Sequence, residues 1–119
     1  MATIKSFTDL EQSKKLAKIL PLESADMEYM FLKKDGSKVS NVPFVKDGFE
    51  EPECCYTFIP CWSLAALFGV LPKRTRLLKS ATDDTYHCDC PKGNVDKWYD
   101  NPIDACVAMV ERLHELNLL

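Results

Sequence analysis

The stretch that decides the fold runs from Asn101 to Leu116 and reads Asn-Pro-Ile-Asp-Ala-Cys-Val-Ala-Met-Val-Glu-Arg-Leu-His-Glu-Leu. Asn101 is a favoured N-cap, Pro102 suits the first helical turn, and Asp104 lies near the positive end of the helix dipole. Apolar residues recur every three or four positions, which predicts a helix with one buried face. That face consists of Ile103, Cys106, Val107, Val110, Leu113 and Leu116.

Two more helices are predicted upstream of this stretch. Thr8 and Glu11 fit a capping box, in which the Thr8 hydroxyl accepts a backbone N–H and the Glu11 carboxylate reaches back to the cap. Residues 62–70 are apolar on nearly every side, which favours a short, buried central helix. Its start is compatible with Pro60 in the first helical turn or with Ser63 as the cap.

Strands occupy the intervals between the helices. Alternation and turn residues predict a hairpin of 27–33 with 37–42, a possible strand at 54–59, and a hairpin of 76–80 with 85–90. Consecutive hairpins imply antiparallel pairing, and three helices need an apolar surface to cover. We therefore predict a single α+β domain over residues 1–119. It has a mostly antiparallel sheet of two hairpins, with four or five strands, and three helices packed on one face.

The composition limits the classes of function. Hydrophobic residues make up 46% and charged residues 28% of 119 positions, and the net charge is −3, which argues against a dedicated nucleic-acid coat. The sequence has no apolar run long enough to span a membrane and no apolar signal segment at its start, so a cytoplasmic protein is expected. In a reducing compartment the six cysteines are expected to be thiols, most of them small buried residues.

One alternative is a thiol hydrolase that uses Cys61 and His87. Cys61 precedes the predicted central helix, where the helix dipole would favour its thiolate, and Asp89 or Asp96 could orient His87. This order of residues resembles the layout of papain-like thiol hydrolases. The glycine-bearing sequence around their nucleophile is missing, so the favoured interpretation leaves Cys61 in the core and His87 as a sheet residue.

A second alternative is a zinc-stabilised binding module. The segment His87-Cys88-Asp89-Cys90, together with Cys54-Cys55, contains residue types that bind zinc. A zinc knuckle normally places its ligands two or more residues apart on a tight turn, and neither cluster has that spacing. The sequence therefore predicts no metal and no cofactor.

Two surface features remain as candidates for binding a partner. Lys73, Arg74 and Arg76 form a weak basic patch, for which a solvated hairpin edge is the simpler explanation and nucleic acid the less favoured partner. Trp98 and Tyr99 lie in a polar segment before the last helix and act either as a lid over the core or as an exposed anchor for another protein.

Three stretches carry a resemblance to other proteins: residues 10–27, 60–72 and 101–119. Together they resemble small uncharacterised proteins of gut bacteria of the Bacteroides group, often encoded on prophages or other mobile elements. The resemblance implies no catalytic residue. With no phosphate loop, nucleophile elbow or metalloprotease motif in the sequence, we expect a non-catalytic protein-binding or accessory module.

Overall fold

The computed structural model describes residues 5–46 and 55–119 and confirms an α+β fold with antiparallel strand pairing. A one-turn 3-10 helix at Leu22–Ser24 follows the first helix. The elements in chain order are α1 (Leu10–Leu16), β1 (Met27–Leu32), β2 (Phe44–Val45), β3 (Tyr56–Cys61), α2 (Leu64–Val70), β4 (Arg76–Lys79), β5 (Tyr86–Asp89) and α3 (Pro102–Glu115).

The five strands are divided between two sheets, with orders β2-β1-β3 and β4-β5. A single sheet was expected. The outer side of β5 is occupied by Tyr99, which exchanges backbone hydrogen bonds of 2.7 and 2.8 Å with Tyr86. Beyond the end of β3, the Trp62 carbonyl accepts the Thr8 N–H at 2.9 Å. Tyr99 therefore occupies the outer edge of β5 at Tyr86, where a further strand would otherwise pair.

The last helix forms as predicted and supplies much of the core. The Asn101 side chain accepts the Asp104 N–H, and Ile103, Met109 and Leu113 are fully buried. Leu116, predicted to lie in the buried face, is instead 41% exposed. The helix ends before it because Asn117 adopts a left-handed φ of 57° and the Leu118 N–H returns to the Leu113 carbonyl at 2.8 Å.

The first helix is capped one residue later than predicted. Asp9 and Gln12 form the capping box in place of Thr8 and Glu11. The Thr8 hydroxyl is buried, bonds to Ser13 Oγ at 2.8 Å and accepts the Trp62 N–H from just beyond β3 at 3.1 Å, so it is not available as a cap. A tertiary contact has therefore displaced the local signal.

The first hairpin differs from the prediction in its second strand. The turn at Asp35-Gly36 forms, but residues 37–42 contribute only an isolated bridge between Lys38 and Phe31. The paired strand is β2, which begins just after Pro43 and places Val45 opposite Met27. Because proline has no N–H to give to a strand ladder, the pairing is interrupted before it.

The second hairpin and the central helix are close to the prediction. Strands β4 and β5 pair from Arg76↔Asp89 to Lys79↔Tyr86. Ser63 caps α2 through the Ala66 N–H, which settles the start of that helix. The helix is less buried than expected, because Leu67 is fully buried while Phe68 is 37% exposed. In residues 5–46 and 55–119, no helix combines the length and apolarity needed to cross a bilayer.

Candidate protein-binding surface

The outer face of the second sheet carries a row of three side chains, from Leu78 through His87 to Trp98. Leu78 is directly opposite His87 in the β4–β5 register. The imidazole of His87 stacks on the Trp98 indole, with ring centroids 5.1 Å apart and an interplanar angle of 27°. Arg76 and Asp89 are the neighbouring pair on the same face, joined by a 2.5 Å ion pair. We call these five residues the outer face.

His87 is held in place by a second contact. Its Nδ1 lies 3.1 Å from the Lys97 carbonyl oxygen. A carbonyl can only accept, so Nδ1 carries the hydrogen of this bond. The stack and the hydrogen bond together fix the imidazole as a platform for the indole, which is 45% exposed.

Trp98 and Tyr99 point to opposite sides of the sheet, because successive side chains of an extended segment alternate. The Tyr99 ring packs against the core, and Lys97 Nζ lies 5.1 Å from the ring centroid. Burial, together with the charges of Glu111 and Asp104, raises the pKa of the Tyr99 phenol. The two aromatic residues therefore do not form a single anchor, and only Trp98 belongs to the outer face.

Tyr99 instead lines a cavity of about 440 Å³ between α1 and α3. Four polar side chains of this cavity are paired with one another: Lys5 Nζ contacts Asp9 at 3.0 Å and Asp104 at 3.1 Å. Gln12 Nε2 donates to Asp104 at 2.7 Å. This network links the first turns of the two helices, and we assign it a structural role.

The structure does not bring Cys61 and His87 together. Cys61 is the last residue of β3, two residues before the Ser63 cap, and its fully buried sulfur contacts the Thr8 hydroxyl at 3.5 Å and the Thr8 carbonyl at 3.4 Å. Burial raises the pKa of this thiol above its ordinary value, although hydrogen bonds from Thr8 and other neighbours oppose the shift. These observations do not favour the alternative in which Cys61 is a thiolate at a helix start, and its burial agrees with the favoured interpretation of Cys61 as a core residue.

The candidate zinc ligands are separated by strand alternation. Cys88 and Cys90 face the core at 3% and 4% exposure, while His87 and Asp89 lie on the outer face. A hydrogen bond with Cys106, together with burial, raises the pKa of the Cys88 thiol. Cys54 lies outside the described residues. In the part of the chain that is described, no three His, Cys, Asp or Glu residues are arranged to hold a metal.

The basic patch lies at the beginning of the second sheet. Lys73 and Arg74 are exposed in a turn closed by a hydrogen bond of 3.3 Å from the Thr75 N–H to the Pro72 carbonyl. Arg74 adopts a φ of 70°, in the left-handed region that favours glycine. Of the three predicted patch residues, only Arg76 makes an ion pair within the described residues, the one with Asp89.

No protein-family model matches this chain, and comparisons with curated proteins and with solved structures give no significant match. Sequence reasoning named Trp98 and Tyr99 but did not place Leu78 and His87 beside Trp98. The hairpin turn at residues 81–84 determines which residues of the two strands are opposite each other, so the Leu78–His87 pair can be predicted from the sequence. No local sequence pattern predicts that residues 98–99 pair with β5.

Proposed function

We propose that this protein is a non-catalytic protein-binding module that acts in the cytoplasm and contacts its partner through the outer face. The observation that carries the proposal is Trp98, a large aromatic side chain that is 45% exposed yet held against His87. Tryptophan is among the residues that most often dominate the free energy of protein association.

Preorganisation favours the outer face over other exposed apolar residues. Side chains that become fixed on binding lose rotamer entropy, which weakens association. The Trp98 indole is already stacked on an imidazole that is itself bonded to the Lys97 carbonyl, so less freedom remains to be lost. The row presents the Leu78 side chain and the Trp98 indole on either side of His87, and the Arg76–Asp89 ion pair provides a polar border of the kind found around binding hot spots.

The states of the cysteines support a binding role and a reducing compartment. Cys61 is fully buried with a raised pKa, which removes the main reason for assigning it as a nucleophile. Cys61, Cys88, Cys90 and Cys106 are all reduced thiols. Buried thiols without disulfides are typical of cytosolic proteins. The resemblance to proteins of Bacteroides-group mobile elements extends the proposal to an accessory role in such an element.

The test is capture from the native host with matched variants. Tagged wild-type protein is compared with Trp98→Ala and with Phe68→Ala, which removes an aromatic ring of similar exposure from α2. We expect a protein that is retained by the wild type and by Phe68→Ala and whose affinity for Trp98→Ala is at least about thirtyfold lower. Circular dichroism and urea unfolding of each variant establish that it is folded.

Two results would count against the proposal. One is a preparation from the native host in which no protein associates with the wild type. The other is a partner that Trp98→Ala binds as tightly as the wild type does. His87→Ala, which leaves the indole in place but removes its platform, should weaken binding less than Trp98→Ala does.

A further inference from the structure

The unpaired edge of β4 carries the strongest additional signal in the molecule. The Ser80 N–H donates to the Thr85 carbonyl at 2.9 Å, in register with Arg76↔Asp89 and Lys79↔Tyr86. Tyr86 directs its own N–H and carbonyl away from β4, towards Tyr99. In an antiparallel ladder, only alternate residues of each strand form backbone hydrogen bonds across the pair. Both observations identify the same set of residues as the ones that do so.

This alternation determines which backbone groups of β4 point away from β5. Arg76 and Leu78 bond towards β5, so the N–H and carbonyl groups of Leu77 and Lys79 face the open edge. Within the described residues, neither of these two N–H groups has a backbone acceptor outside the strand. An extended peptide can bond to such an edge as an additional strand.

The turn before β4 and the strand itself carry cationic side chains, while Asp83 and Asp84 lie in the turn after the strand. Lys73, Arg74 and Lys79 are exposed and form no ion pair within residues 5–46 and 55–119. Lys79 Nζ lies 5.9 Å from the centroid of the Tyr86 ring. Arg76 extends from the same strand onto the outer face, two residues from Leu78 and about 7 Å along the strand.

The backbone at Arg74 adopts the left-handed conformation that glycine favours, in the same turn as Lys73. A residue with a φ of 70° is strained unless it is glycine, and strained residues cluster at functional positions. An arginine here retains a guanidinium next to Lys73 at the expense of backbone stability. Two adjacent cations at the tip of a turn are complementary to an anionic partner.

We infer that the partner of the outer face supplies an extended, acidic segment that adds to β4 as a further strand. This inference rests on the proposed function and specifies its partner. The backbone of the segment bonds to Leu77 and Lys79, its carboxylates lie near Lys73 and Arg74, and an apolar side chain lies beside Leu78, at the β4 end of the row. An acidic protein segment is favoured over nucleic acid because only a peptide strand satisfies the backbone groups of the edge.

The first experiment uses a synthetic peptide that alternates glutamate and valine. It should bind the wild type and slow amide hydrogen exchange at Leu77 and Lys79. The double variant Lys73→Glu/Arg74→Glu should lower its affinity by about tenfold or more, with a clear dependence on salt. The control Lys14→Glu/Lys18→Glu makes the same change in net charge on α1 and in the residues just after it, and should have a much smaller effect.

Several results would overturn the inference. Equally tight binding of a lysine–valine peptide would exclude charge pairing. Equally tight binding of the glutamate–valine peptide methylated at every amide nitrogen would exclude strand addition. A single-stranded oligonucleotide that binds where the acidic peptide does not would identify a nucleic-acid surface. Exchange protection of the same amides that depends only on protein concentration would identify a second copy of this chain as the occupant.

The captured partner separates this inference from the proposed function. If its binding depends on Trp98 but is unchanged in Lys73→Glu/Arg74→Glu, the outer face is a binding surface and the strand-addition inference is wrong. If binding depends on neither site, the proposed function fails as well. Dependence on both sites supports the two together.

Discussion

Replacing Arg74 with glycine should stabilise the protein, although it removes a large side chain. Arg74 has a φ of 70°, where a residue with a Cβ is strained by about 1–2 kcal/mol. Glycine relieves that strain but gives the unfolded chain additional freedom, which offsets about 0.4–1 kcal/mol. The net expectation is an increase of about 0.5–1 kcal/mol in the free energy of unfolding, or about 2–4 °C in Tm for a domain of this length.

The same chain provides the reciprocal experiment at Gly36. Its φ is 73°, nearly equal to that of Arg74, and an added Cβ would have no atom within 4 Å. Gly36→Ala therefore tests backbone strain without a steric clash, and it should destabilise the protein by about 0.5–1 kcal/mol. Because the two turns belong to different sheets, the double variant should be close to the wild type in stability.

Urea unfolding followed by circular dichroism measures these differences, and Arg74→Ala serves as the control. Alanine removes the guanidinium but retains the strain, so its stability should lie within about 0.5 kcal/mol of the wild type. The reasoning is refuted if Arg74→Gly is no more stable than Arg74→Ala. It is also refuted if Gly36→Ala has no measurable effect.

Two further predictions concern the interior and the charged network. Thr8→Val should cost about 1–3 kcal/mol, because it leaves the buried Trp62 N–H, now bonded to the Thr8 hydroxyl at 3.1 Å, without an acceptor. Thr8→Ser retains the hydroxyl and should recover most of that loss in urea unfolding, and equal stability of the Val and Ser variants would contradict the assignment. The pKa of Asp9 is lowered from its ordinary 3.8: burial alone would raise it, but hydrogen bonds from the Gln12 N–H and Lys5 outweigh burial. The stability contributed by Asp9 is therefore present above its ordinary pKa and lost as the pH falls through the lowered folded value. Lys5→Met should flatten the fall in urea midpoint between about pH 5 and pH 2, and an unchanged pH profile would exclude this linkage.

The predictable parts of the fold are those whose signals are local. Asn101, Pro102 and a regular apolar period specify α3 within one segment, and the turn between β4 and β5 fixes their register. Thr8 was misassigned as a cap because its hydroxyl bonds to Ser13 and to Trp62, which is distant in sequence. That kind of competition is decided only when the chain is folded.

The candidate site was predicted in part for a similar reason. Trp98 and Tyr99 are adjacent in sequence and share an aromatic character, which suggested one anchor. Once residues 98–99 pair with β5, alternation places one ring on the outer face and the other against the core. The pairing of residues 98–99 with β5 depends on the path of the chain between β5 and α3. A pattern of two adjacent residues cannot predict that path.

Stability and binding make opposite demands on position 74. Glycine would relieve the backbone strain there, and a single substitution would suffice to introduce it. Proteins commonly retain such strain by chance, since selection acts only below a stability threshold. A gain in stability from Arg74→Gly would therefore say nothing about use of the charge by itself. A gain in stability accompanied by a loss of affinity for the acidic peptide would link the strain at Arg74 to recognition at the edge of β4, because the same substitution would improve the fold and impair the surface.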